Sequence, residues 1–107
     1  MFEKISSVEQ FEKIIGHDKP VVVKFYADWC PDCKRMDVFM GEVMEGFNEI
    51  PSYSIDKDQF EEISNKNDVM GIPSLLVYQN NQKLGHLHSA NAKTPEEVTT
   101  FLQPFFS

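Results

Sequence analysis

The chain holds two cysteines, and both lie in the run Trp29-Cys30-Pro31-Asp32-Cys33. Two thiols separated by two residues have two chemistries open to them: reversible disulfide exchange, or half of a tetrahedral metal site. Exchange needs one sulfur that attacks as a thiolate and a second that resolves the mixed disulfide. A helix starting near Pro31 would supply both. Cys30 would stand at its N-terminus, where unpaired N–H groups and the macrodipole favour negative charge. Cys33, one turn later, comes close enough for disulfide geometry. Proline suits the first helical position, since its missing N–H is not needed there. On this reading Cys30 is the exposed attacker and Cys33 the shielded sulfur that releases the reduced substrate. The metal alternative needs four ligands, and so a symmetric dimer sharing four thiolates.

The flanking elements must hold this pair in place. Val21-Val22-Val23-Lys24-Phe25-Tyr26-Ala27 is β-branched and aromatic with apolar residues on both faces, the pattern of a central strand covered on both sides. It hands over directly to the cysteines. Beyond them Met36, Met40, Val43, Phe47 and Ile50 follow the helical period, with Gly41 and Gly46 on the other face. Upstream, Ser6 to Glu9 fits a capping box for a helix through Val8, Phe11, Ile14 and Ile15, stopped by Gly16. Downstream, Tyr53 to Asp56 predicts a short strand, and Asp58 to Glu61 a capping box opening a short helix through Phe60 and Ile63.

Leu75 to Tyr78 and Lys83 to His88 predict a hairpin around Asn80-Asn81, a pair suited to positive φ. Leu84 and Leu87 cannot share a face in a regular pleat, so Gly85 marks a bulge. The last helix opens at Thr94-Pro95-Glu96-Glu97, with Thr94 as N-cap and Glu97 closing a box. Val98, Phe101, Leu102 and Phe105 form its stripe, and Pro104 predicts fraying at its end. The order α-β-α-β-α-β-β-α predicts a layered α/β domain, parallel across the first helical crossovers and antiparallel in the final hairpin.

At 107 residues the chain is expected to form one domain, residues 1–107. Hydrophobic residues make up 41 %, enough for a core without staples. Ten Lys and Arg against seventeen Asp and Glu leave a net charge of −7 and no basic stripe, which argues against nucleic acid as a partner. No apolar run approaches the ~20 residues that span a bilayer. The N-terminal residues do not read as a secretory signal. A monomeric cytoplasmic protein is expected, where close cysteines are reactive or metal-binding rather than structural.

Together, Phe25-Tyr26-Ala27-Asp28-Trp29-Cys30-Pro31-Asp32-Cys33-Lys34 and Gly71-Ile72-Pro73-Ser74-Leu75 resemble the thioredoxin superfamily, over nearly the whole chain and in the same element order. The resemblance implies a thioredoxin fold, a central mixed sheet of four to five strands flanked by four helices. It implies a cis Ile72–Pro73 bond beside the dithiol, with the backbone of Ile72 pairing with an extended substrate peptide. It implies that Trp29 shields the dithiol and contacts substrate, and that His88 and Ser89 approach the groove. The activity implied is reduction of protein or small-molecule disulfides, with a flavin-dependent thioredoxin reductase as electron donor and no bound cofactor.

Two departures stand out. The usual insert between the cysteines is Gly-Pro, and here it is Pro31-Asp32. That version is similar to thioredoxin-like proteins of low-GC Gram-positive bacteria and to a small thioredoxin-related protein of animals. Asp32 puts a negative charge beside the dithiol, which taken alone opposes thiolate formation. The second departure is Lys24, standing where the family places a buried acid, with Ser52 aligned opposite it in place of the acid's partner. Lys24 either favours a thiolate electrostatically or snorkels to solvent.

The remaining candidates have plainer readings. Tyr26 is assigned to the core. His86 and His88 share one face of a solvated edge strand, and two histidines do not complete a zinc site. Met36, Met40 and Met44 have helical spacing and fill the core. Asp56, Asp58, Glu61 and Glu62 cap and solvate a helix and lack the spacing of a calcium loop. No metal ligand set is assigned. A non-catalytic adaptor on the same fold is disfavoured because both cysteines are present.

Overall fold

Val21–Tyr26 forms the middle of a five-stranded sheet in the computed structural model, which describes residues 2–106. The chain runs β1 (Glu3–Lys4), α1 (Val8–Ile15), β2 (Val21–Tyr26), α2 (Pro31–Glu45), β3 (Ser52–Asp56), α3 (Glu61–Lys66), β4 (Ser74–Gln79), β5 (Gln82–Leu87), a 3-10 turn at Ser89–Asn91, and α4 (Pro95–Phe106). Strand order is β1-β3-β2-β4-β5. β1 and β2 both pair parallel with β3, while β4 is antiparallel to β2 and to β5. The expected thioredoxin fold is present, with β1 as an additional edge strand that two residues are too few to announce.

The alternation of β2 and β4 divides two cores. Val21, Val23, Phe25, Leu76 and Tyr78 join Phe11 and Ile63 on one side of the sheet. Val22, Leu75 and Val77 join Met36, Met40, Val43, Val98 and Leu102 on the other. A strand with apolar residues on both faces is therefore central, with α1 and α3 on one side and α2 and α4 on the other.

The second helical crossover does not produce a parallel pair. α3 has six residues, about 9 Å of helix, against about 17 Å for the five residues of β3. The short helix and the turns on either side of it leave the chain at the end of the sheet where β3 finished, and β4 starts there and runs the other way. Tyr26 is in register with Asp56, and Phe25 with Ser74. This brings Pro73 to the edge of the sheet from which the cysteines leave.

Several local expectations shift. The first helix is capped by Ser7, whose hydroxyl accepts from Gln10 N–H, while Gln10 Oε1 accepts from Ser6 N–H; the box is displaced by one residue. The box of Asp58 and Glu61 does not form. Phe60 precedes α3 with no side-chain cap, Asp56 Oδ1 accepts from the N–H groups of Asp58 and Gln59, and the Asp58 side chain turns to Trp29. α2 ends at Glu45, yet Phe47 and Ile50 still pack on its core. At α4 the box of Thr94 and Glu97 closes in both directions. Pro104 does not fray that helix, because Phe105 and Phe106 anchor its last turn to the core. The hairpin turns through Asn80 and Asn81 at φ 53° and 66°. Val77 faces Gly85 and Tyr78 faces Lys83, leaving Leu84 as the extra residue of the bulge.

Candidate functional site

Cys30 is the N-cap of α2 and Pro31 its first residue. Cys30 and Cys33 form a disulfide with Cα atoms 5.3 Å apart, and the Cys33 N–H points at Cys30 Sγ, 3.1 Å away. A sulfur at this place meets an unpaired helix N–H and the positive end of the dipole, conditions that favour a thiolate once the disulfide is opened. Ala27 completes a small buried cluster with the two cysteines, and Tyr26 and Ile72 pack against it. The Ile72–Pro73 bond is cis, and Ser89 Oγ donates to the Ile72 carbonyl at 2.9 Å. The two segments singled out in the sequence thus meet at one edge of the sheet.

The expected difference in exposure between the thiols is absent: Cys30 is 3 % exposed and Cys33 2 %. Ile72 and Tyr26 pack against the pair and bury both sulfurs. The asymmetry lies in the helix instead, with Cys30 before its first turn and Cys33 within it. Trp29 is 66 % exposed, and its indole N–H donates to Asp58 Oδ2 at 2.7 Å.

Lys24 does not snorkel. It is 3 % exposed; its Nζ donates to the Cys33 carbonyl at 3.3 Å and bonds Asp37 of α2. Its register partner on β3 is Ser54; Ser52 lies opposite Val22, two residues away from the alignment expected. Nζ also stands 5.8 Å and 5.9 Å from the ring centres of Phe2 and Tyr26. These residues, with Ser54, line a cavity of about 300 Å³. Tyr26 is thus half-buried at the site, not a plain core residue.

Asp32 accepts from Lys93 Nζ at 2.7 Å, and Arg35 lies 4.0 Å away. The hydrogen bond and charge of Lys93 hold the Asp32 carboxyl below the ordinary carboxylate range, with a smaller pull from Arg35 and burial opposing. His86 and His88 stack with ring centres 3.8 Å apart, and His86 Nδ1 is 3.1 Å from Lys83 Nζ. His86 is half-buried, so the fully solvated strand expected there is not found. Among the described residues no group of three or more His, Cys, Asp or Glu is arranged to hold a metal ion.

Sequence reasoning missed Asp37, Ser54 and Lys93. Asp37 had a signal, since it lies one turn from Cys33 on the same helix face. Lys93 had none: it comes from 61 residues away.

A buried dithiol at a helix start, beside a cis proline, on this sheet defines a class of redox protein. The family model described as thioredoxin matches residues 3–103, and the chain belongs to the thioredoxin family. It is 31 % identical over 91 residues to thioredoxin-1 of Saccharomyces cerevisiae, spanning 85 % of this chain and 88 % of that one. It is 32 % identical over 97 residues to the mitochondrial thioredoxin-2 of Schizosaccharomyces pombe, spanning 88 % and 73 %. The crystal structure of thioredoxin from Trypanosoma brucei brucei superposes with a TM-score of 0.84 at 29 % identity, covering 97 % of this chain and 89 % of that one. The protein is a dithiol thiol–disulfide oxidoreductase, acting on disulfide substrates. Among the described residues no helix is long and apolar enough to cross a membrane.

Proposed function

We propose that the chain acts as a single-domain, monomeric reductase of protein or small-molecule disulfides, with Cys30 as the attacking thiol. The observation that carries this reading is the position of Cys30 Sγ as the side-chain cap of α2, accepting from Cys33 N–H. The Cys30 thiolate attacks one sulfur of the substrate disulfide. A Cys30–substrate disulfide forms and the other substrate sulfur leaves as a thiolate. The Cys33 thiolate then attacks Cys30 Sγ, closing the intramolecular disulfide and releasing the second substrate thiolate. Two electrons pass from the dithiol to the substrate, and the released thiolates take up protons from solvent.

A reductase of this kind must be returned to the dithiol, and a flavin-dependent thioredoxin reductase is the donor the family suggests. The cytoplasm is the compartment whose poise suits that cycle; a mitochondrial relative makes a second reducing compartment the alternative. The Pro31-Asp32 insert supports a place beside the Trp-Cys-Pro-Asp-Cys thioredoxin-like proteins of Gram-positive bacteria.

Around the thiols, Trp29 and the backbone of Ile72 receive the substrate. Pro73 shapes that edge of the groove, and Ser89 fixes it through the Ile72 carbonyl. Pro31 starts the helix and Asp32 sets the local charge. Lys24, bound to the Cys33 carbonyl, favours a thiolate at Cys33 in place of a buried acid. Lys24→Ala is expected to raise a cysteine pKa, and an unchanged titration of both thiols would refute that role.

The test of the whole reading is dithiothreitol- or reductase-driven reduction of insulin. Cys30→Ser should fall to the uncatalysed rate, while Cys33→Ser should accumulate mixed disulfides with its clients. Turnover that survives Cys30→Ser excludes the mechanism.

A further inference from the structure

Asp32 poses an electrostatic problem. It occupies the second position of α2, where a carboxylate suits the helix dipole, but it stands two residues from the sulfur that must become a thiolate. The answer comes from the far end of the chain. Lys93, between the 3-10 turn and α4, reaches across to place Nζ 2.7 Å from Asp32 Oδ2. Its backbone is anchored: Lys93 N–H donates to Glu97 Oε1, the same atom that closes the cap of α4, and its neighbour Ala92 is buried. The ammonium therefore springs from a fixed base.

Stability does not account for the pair. Both side chains are partly exposed, and ion pairs in that setting contribute little to folding. Lys24, Asp58 and Arg35, also near the dithiol, have contacts of their own. Lys24 meets Asp37, Asp58 accepts from the Trp29 indole, and Arg35 lies at the outer limit of contact with Asp32.

We propose that Lys93 is a positioning residue for the dithiol, pairing with Asp32 so that the field of this carboxylate at Cys30 is cancelled and the thiolate forms as if the insert were neutral. The same contact holds the Asp32 carboxyl below the ordinary carboxylate range, through the hydrogen bond and charge of Lys93. The proposal rests on Cys30 being the attacking thiol.

The test uses the Cys33→Ser protein, in which Cys30 is the one titrating thiol. Its pKa is read from the ultraviolet absorbance of the thiolate and from the pH dependence of alkylation by iodoacetamide. Lys93→Met should raise that pKa by about 0.5–1 unit, and Lys93→Arg should restore it. With Asp32→Asn already present, Lys93→Met should move the pKa by much less. Melting curves run in parallel establish that each variant is folded. An absent shift, an equal shift in both backgrounds, or failure of arginine to restore the value would each overturn the role of Lys93. A parent protein whose Cys30 resists alkylation across the range would instead overturn the assignment of Cys30 as attacker.

Discussion

Lys24 and Asp37 meet beneath the dithiol, the ammonium coming from the central strand and the carboxylate from α2 one turn beyond Cys33. The two ends are unequal. Lys24 is 3 % exposed, whereas the Asp37 side chain is 61 % exposed. Removing the Asp37 charge leaves a buried ammonium with neutral partners, the Cys33 carbonyl and the rings of Phe2 and Tyr26; removing Lys24 leaves a carboxylate facing water. Asp37→Asn should therefore destabilise by about 1–3 kcal/mol, while Lys24→Met should be close to neutral. Urea unfolding of the two variants checks this, and equal losses would show that the pair is held by something other than burial of the amine.

His86 gives stability a pH dependence of definite sign. Burial pushes its pKa down to about 4, with the neighbouring His88 and Lys83 adding to the effect and Asp68 opposing it. An unfolded chain takes up this proton near pH 6.5, so between about pH 6.5 and 4 the unfolded state binds more protons than the folded one. The stability that depends on neutral His86 is complete above that window and declines as pH falls through it. Allowing for solvent around a half-buried ring, the loss is about 1–2 kcal/mol. His86→Gln should lose less stability than the parent protein between pH 7 and pH 4. Parallel curves for the two proteins would exclude His86 as the cause.

The dithiol and its proline were legible because local physics fixes them. A β-branched run ending at Ala27 and a proline at the first helical position announce a strand-to-helix junction, and the structure has one there. Resemblance supplied Pro73, and the short α3 explains how it arrives. What escaped was charge pairing between distant elements. Periodicity shows that Lys24 lies within a buried strand, but not that Asp37 reaches under α2 to meet it. Register failed by two residues at Ser52 and Ser54, because both serines suit the same face of β3. The Asp58 cap failed because the same side chain had a better partner in Trp29. Short polar side chains have many possible partners, and only the folded chain selects among them.

Gly85 is required by packing and not by backbone conformation. A Cβ at this position would lie 2.7 Å from Phe105 Cζ and 3.2 Å from Phe101 Cε1, both on α4. The glycine lets the last turn of α4 settle against β5 beside the bulge at Leu84, and the same contact helps hold that turn beyond Pro104. Gly85→Ala should destabilise by about 1–3 kcal/mol, the range for overpacking a filled core. The cause is separable from any effect on strand propensity. With Phe105→Leu already in place the ring is gone, and Gly85→Ala should then cost about 1 kcal/mol less than in the parent. Equal costs in the two backgrounds, measured by urea unfolding, would place the penalty in the backbone of β5 rather than in its contact with α4.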